Sequence, residues 1–282
     1  MASEATSWQG ARGEKWRAQL TGMEAMLAVV DEPLIAALAL DQPLRIVDVG
    51  CGGGGTTLRI LREAPPGSTA LGVDISPALI EVAERRGAGH EGVLGFRLAD
   101  ATHAPPPSLL YERLVSRFGV MFFEEPAAAF ANLAGWLAPG GRFAFAVWGP
   151  LADNAWLNVV RDAVAEVAAL PATEPDVPGP FRYAEPGKLL ALLTRAGFAG
   201  LEVRDVRLRF ALGGGLPAAQ AADFALAGFA TFAELLEQAG PTAFERARRL
   251  LTERLLSHEL DGQVRLDARV HIVSGFRQQE QS

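Results

Sequence analysis

The sequence predicts an α/β chain: a doubly wound, mostly parallel seven-stranded sheet with helical insertions and an N-terminal helical cap. Three observations predict it. A β-branched stretch, Leu44-Arg45-Ile46-Val47-Asp48-Val49, runs directly into Gly50–Gly55 and then Thr56-Thr57, the order of strand, glycine turn and helix. Short strand-like runs then alternate with helical stretches that Pro opens or Gly stops. Finally, 49% of the 282 residues are hydrophobic, enough for a substantial core in one large domain or two small ones.

The elements follow in order. Residues 1–43 form the helical cap, with helices near 13–21 and 22–40; Trp8 and Trp16 pack it onto the core or close it over a ligand edge. Residues 44–150 form a core that binds a nucleotide-like cofactor. Its first strand ends at the glycine turn, whose residues permit positive φ and close approach of a ligand to backbone, and Thr56 and Thr57 cap or begin the next helix. Pro65-Pro66-Gly67 stops that helix, and Thr69–Val73 is a second strand ending in Asp74. Ser76-Pro77 opens another helix, as N-cap and first residue. Val93–Leu98 is the third strand, with Asp100 and His103 just past it, and Leu114–Phe118 the fourth. Pro126 begins the helix to Leu137, and Pro139-Gly140-Gly141 turns into a fifth strand, Arg142–Trp148.

Residues 151–184 are a helical and loop insertion, helical over 153–170 and proline-rich over 171–180. Residues 185–211 continue the core, with a helix after Glu185-Pro186 and a sixth strand at 201–210. Residues 212–263 are a second helical insertion placed as a substrate lid. Residues 264–282 carry the last strand, 269–276, and the tail.

Composition excludes several functions. The net charge of −7, without a basic cluster, argues against a nucleic-acid partner. No apolar run reaches spanning length, and no basic stretch followed by an apolar run opens the chain, so a cytoplasmic protein is expected. The single cysteine, Cys51, reads as a small residue in a crowded turn, and the four scattered histidines show no metal-ligand spacing.

The glycine turn fits two patterns. Gly50, Gly52 and Gly55 match the dinucleotide fingerprint, whereas Asp48, Gly50, Gly52 and Gly54 match an acidic-x-G-x-G-x-G motif. Further stretches favour the second. Ala70–Ser76 with Asp74, Leu98-Ala99-Asp100-Ala101, Tyr111–Phe123 and Leu137-Ala138-Pro139-Gly140-Gly141 resemble successive motifs of the class I S-adenosylmethionine-dependent methyltransferases, in the type 11, UbiE-like branch. Relatives of this type often carry an aspartate at the start of the fourth strand, where this chain has Glu112-Arg113. The resemblance covers roughly 44–211 and 264–277. It implies a Rossmann-like fold and S-adenosyl-L-methionine as cofactor.

On that resemblance, Asp48 with Gly50, Cys51, Gly52, Gly54 and Thr56 would hold the methionine portion. Asp74 and Ile75 would hold the ribose, and Asp100 with Ala101 the adenine. Ser116 and Phe118 would line the floor beside the methyl group. Trp8, Met121, Trp148, Phe181 and Phe229 are the candidate substrate contacts, alongside Trp156 and Phe232, and imply a small apolar or aromatic methyl acceptor. His103 and His258 are the candidate general bases, if the acceptor must lose a proton. A homodimer is left open. A nicotinamide-dependent oxidoreductase and a non-catalytic binder of the same fold are the competing readings, though no tyrosine is followed by lysine at the Y-x-x-x-K spacing.

Overall fold

The computed structural model describes residues 4–171 and 176–279. The chain enters through four short helices, α1 (Glu4–Gln9), α2 (Ala11–Ala18), α3 (Leu20–Leu27) and α4 (Asp31–Ala36). The sequence predicts two longer ones. Non-helical Gly10 and Gln19 and a 3-10 turn at Ala28–Val30 divide them. Helix α3 buries Leu20, Met23, Met26 and Leu27, while α2 buries only Gly13. A Cβ at Gly13 would stand 2.3 Å from the Ser76 hydroxyl, so the missing side chain lets α2 rest on the ligand edge of the sheet.

The core alternates as expected: β1 (Arg45–Val49), α5 (Gly55–Glu63), β2 (Thr69–Asp74), α6 (Pro77–Gly87), β3 (Leu94–Leu98), β4 (Tyr111–Arg117), α7 (Pro126–Trp136) and β5 (Leu137–Trp148). The first insertion supplies α8 (Ala155–Ala165), shorter than the predicted helix. Next come α9 (Gly187–Arg195) and β6 (Phe198–Ala211). The second insertion is three helices, α10 (Ala218–Gly228), α11 (Ala230–Ala239) and α12 (Pro241–Leu256). A two-residue strand β7 (Glu259–Leu260) turns into β8 (Gln263–Arg277). The last strand is thus longer than residues 269–276, because it starts as a hairpin with β7.

The strand order is β3-β2-β1-β4-β5-β8-β6, seven strands on the main path with β7 attached to β8 as an eighth. The pairs from β3 to β5 are parallel, and β8 is antiparallel to both β5 and β6. Parallel strands covered on both faces read as unbroken apolar runs, and Ile46, Val47, Val49, Leu114 and Val115 are all buried. The order reverses beside β1, so a crevice opens at the carboxyl ends of β1 and β4. The N-terminal cap and both insertions close over that crevice. Among the described residues no helix is long and apolar enough to cross a membrane.

Candidate functional site

The crevice is a cavity of about 580 Å³. One wall is made by successive strand ends: Asp48 and the Gly50–Gly53 turn after β1, Asp74 and Ile75 after β2, and Asp100 and Ala101 after β3. The three carboxylates therefore share one rim. Each is oriented locally. The Gly52 amide donates to Asp74 Oδ2 at 2.8 Å and the Ser76 amide to Oδ1 at 2.9 Å. The Thr102 amide donates to Asp100 Oδ1 at 2.8 Å. The Thr57 hydroxyl donates to Asp48 Oδ2 at 2.7 Å. Burial pushes the Asp74 carboxyl above the usual carboxylate range, against the pull of its amide donors. Burial pushes Asp48 up to about 7, although the Thr57 hydrogen bond and the Arg117 guanidinium act the other way. Burial also pushes the Cys51 thiol well up, which disfavours a thiolate nucleophile.

The glycines of the turn divide by role. Gly50, at φ +70°, lies so close to the backbone after β4 that a Cβ would stand 2.9 Å from Gly119 Cα. Gly52, at φ +56°, has no atom within 4 Å of a Cβ position and opens onto the cavity. Gly54, at φ +80°, stands outside the cavity lining; its Cβ position is 2.7 Å from the Phe96 ring of β3. Gly54 is the N-cap of α5, so Thr56 and Thr57 fall within the helix rather than capping it. Thr56 lines the cavity, and its hydroxyl donates to Asp31 Oδ1 at 3.0 Å.

Other expected contacts move as well. Ser116 is fully buried and donates to the Val49 carbonyl at 2.6 Å, outside the cavity lining, so it ties β4 to β1. His258 is exposed just beyond α12 and is not brought to the cavity. His103 is at the rim, with its side chain 67% exposed and Nε2 4.0 Å from Asp100 Oδ2. It lies in the loop after β3, beside Asp100, and lines the cavity from there.

The opposite wall is aromatic. Phe118 stacks on Trp148 with ring centroids 4.2 Å apart and planes 7° apart. Trp148 continues to Trp156 at 4.7 Å, and Trp156 to Phe229 at 5.2 Å. Phe118 holds a left-handed φ of +66°, an uncommon conformation for a bulky residue. Trp8, Trp16 and Phe122 pack edge to face at the cap side, and Met121, Phe181 and Phe232 complete the lining. All five expected substrate contacts thus line the same cavity.

The sequence does not reveal one group. Asp31, at the start of α4, is 4% exposed, and its Oδ1 accepts from both Thr56 and Arg117, each at 3.0 Å. In the sequence it is one more acid inside the helix predicted over 22–40, and only the pairing of distant elements distinguishes it. Methionines of α3 line the cavity too, hidden in what reads as a core-facing helix.

Residues 46–141 match the methyltransferase domain family. Over 114 residues the chain is 31% identical to a malonyl-[acyl-carrier protein] O-methyltransferase of Halalkalibacterium halodurans, covering 40% of this chain and 42% of that protein. Over 125 residues it is 32% identical to a demethylmenaquinone methyltransferase of Thermus thermophilus, covering 44% and 56%. The chain thus spans about half the length of these curated relatives or less. In fold it resembles phosphoethanolamine N-methyltransferase 2 of Haemonchus contortus in complex with S-adenosyl-L-methionine, with a TM-score of 0.59 and 14% identity, covering 99% of this chain and 61% of that one. The nicotinamide reading of the glycine turn finds no support in these matches. Together with the sheet order and the strand-end acids, they mark residues 46–141 as a methyltransferase domain similar to those of the class I S-adenosylmethionine-dependent methyltransferases of the type 11 branch.

Proposed function

We propose that this protein transfers a methyl group from S-adenosyl-L-methionine to a small apolar or aromatic acceptor. One observation carries the reading: Asp48, Asp74 and Asp100 stand at three adjacent strand ends beside an open glycine, on the wall facing an aromatic pocket. The residues fit the cofactor. The open space at Gly52 is a cradle that a Cβ would fill, and Asp74, which lines the cavity, keeps acceptor capacity beyond the backbone amides it binds.

Asp74 would accept from the ribose hydroxyls, and Asp100 with Ala101 would hold the adenine. The turn 50–52 and Asp48 would hold the methionine portion, the ammonium group meeting a carboxylate buried among Thr57 and Arg117. Bound there, the sulfonium supplies an already activated methyl group. The chain contributes orientation and exclusion of water. Phe118, Met121 and Trp148 would place the acceptor opposite the sulfur, and α2, α11 and the 177–181 loop would cover it. Positioning of this kind supplies up to about 7–11 kcal/mol in the best cases.

Calorimetry with S-adenosylhomocysteine tests the reading. Saturable one-site binding, weakened by Asp74→Ala, is expected; no heat at millimolar ligand refutes it.

A further inference from the structure

The acceptor half of the cavity carries more cations than carboxylates. Its lining beyond β4 and β5, from the cap and from the insertions contains Arg12, Lys15, Glu24, Arg117, Glu124, Glu125, Arg161 and Arg182 as its charged side chains among the described residues, and Glu24 is held by Arg86. Among the described residues no histidine, aspartate, cysteine or tyrosine stands there. Glu124 and Glu125 are exposed at the rim, and Glu124 Oε1 already accepts from the Ala5 amide. Arg117 is held by Asp31. Lys15 lies 3.9 Å from both Glu234 and Glu237. Arg12 lies over the Trp8 ring.

Two guanidinium groups remain to face an acceptor. Arg182 donates one N–H to the Phe123 carbonyl and lies 5.7 Å from the Tyr183 ring centre, which fixes its plane and leaves the rest of the fork available. Arg161, on α8, lines the cavity from an exposed position. The aromatic wall of Trp148, Trp156 and Phe229 lines the same half of the cavity.

We infer that the acceptor is a hydrophobic carboxylate: an anion whose apolar body lies on the Trp148–Trp156–Phe229 wall and whose charge is met by Arg161 and Arg182. The inference rests on the methyl-transfer reading above and deepens it. A neutral hydroxyl acceptor must lose a proton, and the glutamates of this half are engaged by Arg86 or exposed at the rim. A carboxylate needs no base. Its oxygen bonds to the methyl carbon, the carbon–sulfur bond breaks, and that electron pair stays on sulfur. The negative acceptor and positive sulfonium become a neutral ester and a neutral thioether, with no proton moved.

The test uses the full chain saturated with S-adenosylhomocysteine and titrates it with 4-phenylbutanoate and, separately, 4-phenylbutanol. The carboxylate is expected to bind about tenfold tighter or more, the effect of one charge-assisted contact. In Arg161→Gln and Arg182→Gln the preference should fall, and in the double variant vanish, with alcohol and S-adenosylhomocysteine affinities unchanged. Equal affinity for the two probes, binding of neither, or a preference that survives both substitutions overturns the inference. Absence of S-adenosylhomocysteine binding is a separate result, and it overturns the cofactor reading first.

Discussion

Gly52 and Gly54 are two residues apart, both in the left-handed region, at φ +56° and +80°. In sequence they are equivalent members of one motif, yet the structure gives them different tasks, and alanine separates them. At Gly52 the new methyl meets nothing within 4 Å, so the stability cost is the left-handed strain alone, about 1–2 kcal/mol. The methyl projects into the cavity, so S-adenosylhomocysteine affinity should fall at least about tenfold, the equivalent of roughly 1.4 kcal/mol. At Gly54 the same strain is joined by overpacking against the Phe96 ring at 2.7 Å and the Ala83 Cβ at 3.2 Å, worth about 1–3 kcal/mol more. Gly54→Ala should therefore lose about 2–5 kcal/mol in all, while its folded fraction binds S-adenosylhomocysteine nearly as the parent does. Urea unfolding gives the first quantity and calorimetry the second. Should Gly52→Ala bind like the parent, or Gly54→Ala prove no less stable than Gly52→Ala, the division of the turn into a cradle and a packing contact is refuted.

Three further outcomes follow from the buried charges and the strained ring. Asp48 has a folded-state pKa of about 7, above its unfolded value, so the native state binds the extra proton between roughly pH 4 and 7. Its contribution to stability is present below that window and lost as the pH rises through it. Asp48→Asn should raise the ligand-free melting temperature at pH 8, with little gain at pH 4, and weaken S-adenosylhomocysteine binding; a gain as large at pH 4 would contradict the assignment. Arg117→Met leaves Asp31 buried without its counter-charge and should cost about 3–5 kcal/mol in urea unfolding, largely restored by adding Asp31→Asn. Phe118→Gly should be more stable than Phe118→Ala by about 1 kcal/mol, because only glycine adopts φ +66° freely; thermal unfolding of the pair decides it.

The sequence by itself determined the frame. Strand periodicity, the Gly50–Gly55 turn and the Pro and Gly punctuation are local signals, fixed by backbone sterics and by burial of β-branched runs. They locate each core strand from β1 to β6, and they put Asp48, Asp74 and Asp100 at strand ends that parallel pairing aligns on one edge. Tertiary structure decided everything that depends on which distant element faces which atom. Ser116 and Gly54 read as ligand contacts, but the Val49 carbonyl claims one and the Phe96 ring the other. His103 and His258 read as bases, but the fold leaves His103 mostly exposed beside Asp100 and places His258 at the surface beyond α12. Asp31 is unremarkable in sequence and becomes the partner of Thr56 and Arg117 only because α4 packs beneath the cavity. A residue's type and spacing fix what it is able to bond; only the folded chain fixes which partner desolvates it.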